Sequence, residues 1–156
     1  MKTIFLICSF LLAIILPNGF AKKNEMINLS DSTGVRGSVV YRSGNYMPTI
    51  GETQAKKNGK AVEREIVFYE LTNANEATAN GSFYTTIKTK EIKRIRSDKQ
   101  GRYTILLQPG TYSVFVKEKE GYFANRFDGH NNICPVEVRK DKMTVLNLII
   151  DYNAAY

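Results

Sequence analysis

Two closely spaced turn signals near the middle of the chain constrain its fold more than any other feature. Asp98 can cap a tight turn with its side chain, and Gly101 can adopt the positive φ that such a turn needs. A second turn at Pro109-Gly110 stands directly before another alternating stretch at 111–117. Two strands separated by turns of this kind predict a small antiparallel β domain.

Alternation of apolar and polar residues predicts further strands along the chain. Val35, Val39 and Tyr41 occupy every second position of one stretch, with a glycine between the first two, so they are expected to face a core. No stretch has the periodicity of an amphipathic helix, so the chain is predicted to be an all-β sandwich. The predicted strands cover 35–41, 62–71, 83–96, 102–107, 111–117, 122–127, 133–138 and 143–151, and the predicted long loops cover 42–60 and 72–82.

Two of these strands carry more specific expectations. The run 66–69 is continuously apolar, which predicts burial on both of its faces. In the strand at 83–96, Ile87, Ile92 and Ile95 are expected in the core. The break in period between the first two of these isoleucines is consistent with a β-bulge.

The N-terminal segment predicts export rather than folded structure. A basic start is followed by 13 almost wholly apolar residues at 4–16, and small residues precede a cleavage point after Ala21. This pattern predicts a secretory signal peptide at 1–21. A retained membrane anchor is the alternative, but a spanning helix needs about 20 apolar residues. Residues 22–33 are then a flexible lead-in, and 34–156 form one domain.

Cysteine usage and charge restrict the possible partners. Cys8 leaves with the signal peptide, so Cys134 has no partner for an internal disulfide and is expected to be a buried thiol; an intermolecular disulfide is the alternative. The formal net charge of the sequence is +7, which favours acidic surfaces such as anionic glycans, lipid head groups or nucleic acid. Export makes nucleic acid the least expected of these.

A longer pattern of turn and core residues surrounds the two central turns. It comprises Asp98, Gly101 and Tyr103, then Leu107, Pro109, Gly110, Tyr112 and Val114, with Gly37, Val39, the segment 59–62 and the strand at 145–150 in support. This pattern resembles the carboxypeptidase regulatory-like domains over about residues 34–151. The resemblance implies a transthyretin-like (prealbumin-like) fold in an exported bacterial protein, a single antiparallel Greek-key β-sandwich of about seven or eight strands. Because every matched residue forms a turn or a core, the resemblance implies architecture and no activity.

The segment 127–132 is dense in oxygen-bearing side chains. Asp128 and Asn131 are candidate metal ligands, although the regular spacing of a dedicated calcium loop is absent and the same residue types form tight hairpins. His130 and Cys134 also suggest a nucleophile and base, but no third residue that would orient them is identifiable. The sequence therefore predicts no catalytic site, no cofactor and no enzyme activity.

Basic residues concentrate in one predicted strand. They are Lys88, Lys90, Lys93, Arg94 and Arg96. Such a strand can dock an acidic partner or an anionic glycan. The alternative interpretation is a solvated edge strand, since lysines on an edge discourage pairing with another sheet.

Together these patterns predict a non-catalytic module for protein docking or scaffolding at the cell envelope. A small-ligand or carbohydrate site is the alternative, built from loop tyrosines and the basic strand. The expected partner is an envelope or cell-surface protein or a glycan, and the expected location is the periplasm, the cell surface or the medium. The predicted contact residues are Tyr46, Met47, Tyr122, Phe127, Asp128, His130, Asn132, Lys88, Lys90 and Arg94.

Overall fold

The structure is a computed structural model that describes residues 32–47 and 58–156. These residues form two sheets, of five and seven strands, which confirms the predicted all-β sandwich. The predicted signal peptide, all but two residues of the lead-in and positions 48–57 of the first long loop lie outside the described residues. The strands are β1 (Gly34–Asn45), β2 (Lys60–Ala61), β3 (Glu65–Glu70), β4 (Ala77–Asn80), β5 (Phe83–Ile87), β6 (Glu91–Arg96), β7 (Arg102–Leu106), β8 (Gly110–Lys117), β9 (Tyr122–Phe123), β10 (Pro135–Val138), β11 (Met143–Val145) and β12 (Leu148–Ala155), and a short 3-10 helix covers Ala74–Glu76.

The five-stranded sheet is organised around β1. The antiparallel strands β7 and β2 pair with one edge of β1, where Val35 lies opposite Ile105. The strands β11 and β12 pair with its other edge and run parallel to it, with Val40 opposite Ile149. A parallel partner needs a long crossover connection, which the chain from β2 through β10 supplies. Every other strand pair among the described residues is antiparallel.

The seven-stranded sheet is organised around β8. One edge of β8 pairs with β3 along most of its length, with Phe68 opposite Val114. The other edge changes partner, because its first half pairs with β10 and its last two residues pair with β9. The sheet continues outward from β9 through β5 to β4, and from β3 to β6, so β4 and β6 are its edge strands.

The run Ile66–Tyr69 is buried on both faces, as its sequence predicted, with at most 7% of each residue exposed. One face is directed at the five-stranded sheet. On the other face, the ring of Phe115 lies 5.5 Å from that of Tyr69, 5.4 Å from that of Tyr84 and 6.4 Å from that of Tyr122. These tyrosine rings form a second, outer aromatic cluster that keeps the second face out of water.

The central turn has the chemistry that the sequence predicts. Asp98 Oδ1 accepts hydrogen bonds from the N–H groups of Gln100 (2.9 Å) and Arg102 (2.8 Å), and Gly101 adopts a φ of 75°. In the strand that follows, the predicted inward residues Tyr103 and Ile105 are 5% and 3% exposed. The turn and the strand are therefore confirmed.

The Asp98 turn makes stability depend on pH. The N–H of Arg102, and then its guanidinium, hold the pKa of Asp98 below its ordinary value. A carboxylate whose pKa is lowered on folding stabilises the protein above its unfolded pKa of about 3.9, and this contribution is lost as pH falls through the lower folded pKa. We therefore expect Asp98→Asn to be less stable than wild type at pH 7 and equally stable near pH 2. Denaturant unfolding over pH 2–7 measures the free energy of unfolding of both proteins, with Glu120→Gln as an exposed control. A difference between wild type and Asp98→Asn that stays constant across that range would contradict the expectation.

The structure differs from the predicted strand pattern in several segments. β1 continues to Asn45 inside the predicted loop at 42–60, the predicted strand at 122–127 is reduced to β9, and the one at 143–151 is divided into β11 and β12. The predicted loop at 72–82 contains the 3-10 helix, capped by Asn73, and β4. The predicted strand at 83–96 is divided into β5 and β6, and Ile92, expected in the core, is 38% exposed. The pairing of β3 with β6 shifts register between Phe68 and Tyr69, so Ile92 is the extra residue of a bulge. Its side chain therefore does not follow the inward and outward alternation of the strand.

Candidate functional site

An irregularity in β12 creates two adjoining concavities. Tyr41 of β1 lies opposite Ile150, but Ser43 lies opposite Asn153, so β12 contains one extra residue between these pairs. Such a bulge redirects side chains. The consecutive residues Asp151 and Tyr152 line two different concavities, which we call the edge pocket and the tyrosine groove.

The edge pocket is an apolar cavity of about 120 Å³. It lies where β8 changes partner from β10 to β9, so a gap remains between the two sheets there. Its apolar lining consists of Val114, Val116, Phe123, Ala124 and Leu148. The cavity is smaller than the roughly 300–1,000 Å³ of pockets that hold small-molecule ligands, and its size is closer to that of one side chain.

Polar side chains are fixed at the mouth of the edge pocket. Asp151 accepts hydrogen bonds on both carboxylate oxygens, from Asn125 Nδ2 at 2.6 Å and from the hydroxyl of Tyr156 at 3.0 Å. Arg126 is exposed, and its Nη2 donates to Cys134 Sγ at 3.4 Å. The mouth therefore offers one cation, Arg126, beside a carboxylate that already has two donors.

Cys134 is a buried free thiol, as predicted. Its backbone adopts a positive φ of 40°, which is uncommon for a residue with a side chain. This conformation is held by hydrogen bonds on both sides, from Cys134 N–H to the carbonyl of Arg126 and from the N–H of Val114 to the carbonyl of Cys134. The segment carrying Arg126 is thereby attached to β8 beside the pocket.

The backbone of β12 forms a free edge next to the pocket. Val39 donates to the carbonyl of Gly101 and accepts from the N–H of Val62, so its peptide groups point away from β12. The backbone N–H and carbonyl groups of successive strand residues point to opposite edges of the strand, so those of Val40 point toward β12. They bond the two residues that flank Ile149, the partner of Val40. The N–H and carbonyl of Ile149 therefore point outward, and no described strand pairs with that edge.

The tyrosine groove lies on the other side of the bulge and is an open concavity of about 800 Å³. Its centre is the Glu118 carboxylate, whose side chain is only 5% exposed. Arg64 Nε donates to Glu118 Oε1 at 2.6 Å, and the hydroxyl of Tyr152 donates to Oε2 at 3.1 Å. Burial, with a smaller contribution from Glu118, raises the pKa of Tyr152, so this hydroxyl stays protonated and remains a donor.

Aromatic rings and an amide complete the groove. The ring of Tyr152 lies 4.9 Å from that of Phe83 and 5.7 Å from that of Tyr41. Asn153 Nδ2 donates to the hydroxyl of Tyr41 at 2.6 Å. Lys117, Lys119 and Glu120 stand on the rim. The groove thus combines aromatic surface with fixed hydrogen-bonding groups.

The chain matches no protein-family model, no curated protein and no solved structure.

The predicted metal candidates take part in a turn. Asp128 Oδ1 accepts from the N–H groups of His130 and Asn132 at 2.9 Å each, and Oδ2 accepts from Asn132 Nδ2 at 2.9 Å. These bonds, led by the Asn132 side chain, lower the pKa of Asp128. Asn131 has a φ of 63° and its carbonyl accepts from Ala74 N–H. Among the described residues, no three or more His, Cys, Asp or Glu side chains are grouped to hold a metal ion.

Three predicted contact residues lie on segments that lead to the edge pocket. The ring of Tyr46 is 5.8 Å from that of Tyr156, which in turn bonds Asp151 at the pocket mouth. Phe127 follows Arg126 directly and is 53% exposed. Met47, next to Tyr46, is 51% exposed. The structure therefore connects the two loops predicted to bind a partner through the mouth of the edge pocket.

The remaining predicted contact residues lie elsewhere. Tyr122 packs in the outer aromatic cluster, with Lys117 Nζ 4.3 Å above its ring centre. Arg94 is bonded to Glu91 at 2.6 Å and to Glu65 at 3.0 Å on the edge strand β6. Lys88 and Lys90 are exposed beside that edge. Their place at an edge agrees with the interpretation that these charges discourage sheet pairing.

Sequence reasoning missed the residues that form the two concavities. Asn125, Arg126 and Asp151 carry no local motif, and their proximity follows from the bulge in β12 and the partner change of β8. Glu118 is one acidic residue in a strongly charged stretch at 117–120. The sequence therefore gives no sign that its side chain is buried while those of its neighbours are exposed.

Proposed function

We propose that this chain is a non-catalytic binding module that docks a protein partner at the cell envelope through the mouth of the edge pocket. The observation that carries the proposal is an apolar cavity of about 120 Å³ that opens beside the exposed Arg126 and beside a strand edge that no described strand pairs with. Protein interfaces concentrate their binding energy in pockets of this kind, filled by an anchoring side chain.

The surroundings of the pocket support docking. Met47 and Phe127 are large apolar residues that are each about half exposed, and both lie on segments connected to the pocket mouth. The net charge of +7 favours an acidic partner. The only cysteine outside the predicted signal segment is buried, and buried structural thiols are inert, which supports a binding role over a nucleophilic one.

Export from the cell and membership of the carboxypeptidase regulatory-like domains belong to the same proposal. Export is supported by the apolar segment at 4–16, and the family by the turn and core residues around Asp98 and Gly110. Within the described residues, no helix is long and apolar enough to cross a membrane.

Cross-linked capture of a partner tests this proposal. The tagged chain from Lys22 onward is cross-linked in its native envelope, and bound proteins are identified by mass spectrometry. Ala124→Leu places a larger side chain in the pocket lining and is expected to abolish capture, whereas Lys90→Ala, beside the edge strand β6, is expected to retain it. An empty capture, or equal capture by both variants, would rule out docking at the pocket.

The tyrosine groove favours a second candidate function, the binding of a saccharide. Sugar rings stack on aromatic side chains and exchange hydrogen bonds with fixed polar groups. Tyr41, Phe83 and Tyr152 supply the rings, and the buried Glu118 with Asn153 supplies fixed polar groups. A glycan screen of the purified protein separates the two functions, because saccharide binding needs no second protein.

A further inference from the structure

The free edge of β12 and the edge pocket are parts of one surface. Atoms of Asn147, Leu148 and Ile149 line the pocket, so the cavity opens directly at the strand edge. The outward N–H and carbonyl of Ile149 lie there as a donor and an acceptor that pair with none of the described strands. An extended peptide that pairs with this edge would carry alternate side chains over the pocket mouth.

The shape of this surface restricts what can occupy it. A cavity of about 120 Å³ with a mostly apolar lining accommodates one aliphatic side chain, and the Cys134 thiol in that lining already accepts from Arg126. The bulge at Asp151 and Tyr152 interrupts regular pairing immediately after Ile150, so only a short segment can pair.

The charge at the mouth also selects the occupant. Both oxygens of Asp151 have donors, whereas Arg126 is exposed, and among the described residues its guanidinium makes one hydrogen bond, to the Cys134 thiol. An acidic residue next to the aliphatic anchor would pair with Arg126, and the net charge of +7 attracts such a segment over longer range.

We propose that the partner docks by strand addition: a short extended segment pairs with the outer edge of β12 at Ile149, inserts one aliphatic side chain into the edge pocket and places an acidic residue against Arg126. The backbone hydrogen bonds give affinity, and the pocket gives specificity for the anchor. This inference rests on the proposed docking function and names the chemistry of the partner at the same site.

A displayed library of random nonapeptides tests the proposal directly with the purified protein. We expect enriched peptides to share one Val, Ile or Leu with an acidic neighbour, among residues that favour strands. A synthetic consensus peptide is then titrated against the wild-type protein and its variants by calorimetry. Enrichment of motifs without an aliphatic anchor would overturn the proposal.

Ile149→Pro is the decisive variant, because proline removes an N–H that points away from the sheet and is tolerated at such edge positions. It should weaken peptide binding by at least about tenfold, since backbone pairing at the edge is lost. The matched control Ile149→Ala keeps the N–H and should bind within about threefold of wild type. Equal binding by Ile149→Pro and wild type would overturn strand addition. Ala124→Leu, which should also abolish binding, provides the test if Ile149→Pro does not fold.

Failure of strand addition is distinguishable from failure of docking. Loss of partner capture in Ala124→Leu with full capture in Ile149→Pro would leave docking at the pocket standing and overturn strand addition. Self-association that Ile149→Pro abolishes, without peptide binding, would assign the edge to a second copy of this chain and overturn the peptide proposal. Size-exclusion chromatography with light scattering measures that association.

Discussion

Replacing Gly37 by alanine is expected to destabilise the protein by about 3 kcal/mol or more, because the new methyl group has no space. A Cβ built on Gly37 would lie 1.8 Å from the carbonyl oxygen of Leu146 and 2.6 Å from its carbonyl carbon. Both are backbone atoms and cannot rotate away. Relief therefore requires separation of β1 from the segment that leads into β12.

That segment is fixed by several hydrogen bonds that the displacement would break. The buried hydroxyl of Tyr103 donates to the carbonyl of Leu146 at 2.6 Å, and Leu146 N–H donates to the carbonyl of Arg36 at 2.8 Å. Asn147 Oδ1 accepts from both the N–H and the hydroxyl of Ser38, at 3.1 and 3.0 Å. Leaving buried groups such as the Tyr103 hydroxyl unpaired adds about 1–3 kcal/mol.

Denaturant unfolding of Gly37→Ala and Gly129→Ala measures this effect with a matched control. Gly129 has nothing within 4 Å of an added Cβ, so its substitution should change the free energy of unfolding by less than about 0.5 kcal/mol. A single domain of this size has a total stability of about 5–15 kcal/mol, so the unfolding midpoint of Gly37→Ala should lie at a clearly lower denaturant concentration than that of wild type. Equal midpoints for the two variants would mean that β1 and Leu146 can separate at little cost.

The contrast between Gly37 and Gly101 indicates how far the sequence can be interpreted. Gly101 lies three residues after Asp98, and their turn is a local structure, so its chemistry could be predicted from adjacent letters. The buried alternation at Tyr103 and Ile105 is equally local. Gly37 is required by a contact with Leu146, more than a hundred residues away, and no local pattern reports it.

The candidate site was less predictable than the fold for the same physical reason. Asp128 was a candidate metal ligand with a tight hairpin as the alternative, and its oxygens accept three hydrogen bonds within its own turn. The edge pocket depends on the bulge at Asp151 and on the partner change of β8, which are properties of strand pairing rather than of composition. Tyr46 and Phe127 were predicted as contact residues, but the path between them through Tyr156 and the pocket mouth is a tertiary feature.

Replacing Glu118 by alanine is the second change with a large expected effect, a loss of about 2–3 kcal/mol of stability. The Glu118 side chain is 5% exposed and accepts from Arg64 at 2.6 Å and from Tyr152 at 3.1 Å. Removing one partner of a buried ion pair commonly costs about 3–5 kcal/mol, because the other charge is left uncompensated. Arg64 is 34% exposed and can recover part of its hydration, so we expect a value below that range.

A comparison with Glu118→Gln and Glu120→Ala separates charge from packing. Glu118→Gln retains an oxygen that can accept from either Arg64 or Tyr152, so this variant should be destabilised less than Glu118→Ala. Glu120 is exposed, and its substitution should change stability by less than about 0.5 kcal/mol.

A double-mutant cycle between Glu118→Ala and Tyr152→Phe isolates the hydroxyl–carboxylate bond, for which we expect a coupling of about 1–2 kcal/mol. Coupling near zero would mean that Tyr152 is held by the neighbouring rings of Tyr41, Phe83 and Phe123 rather than by the carboxylate. In that case Glu118 would stabilise the protein through its ion pair with Arg64 alone.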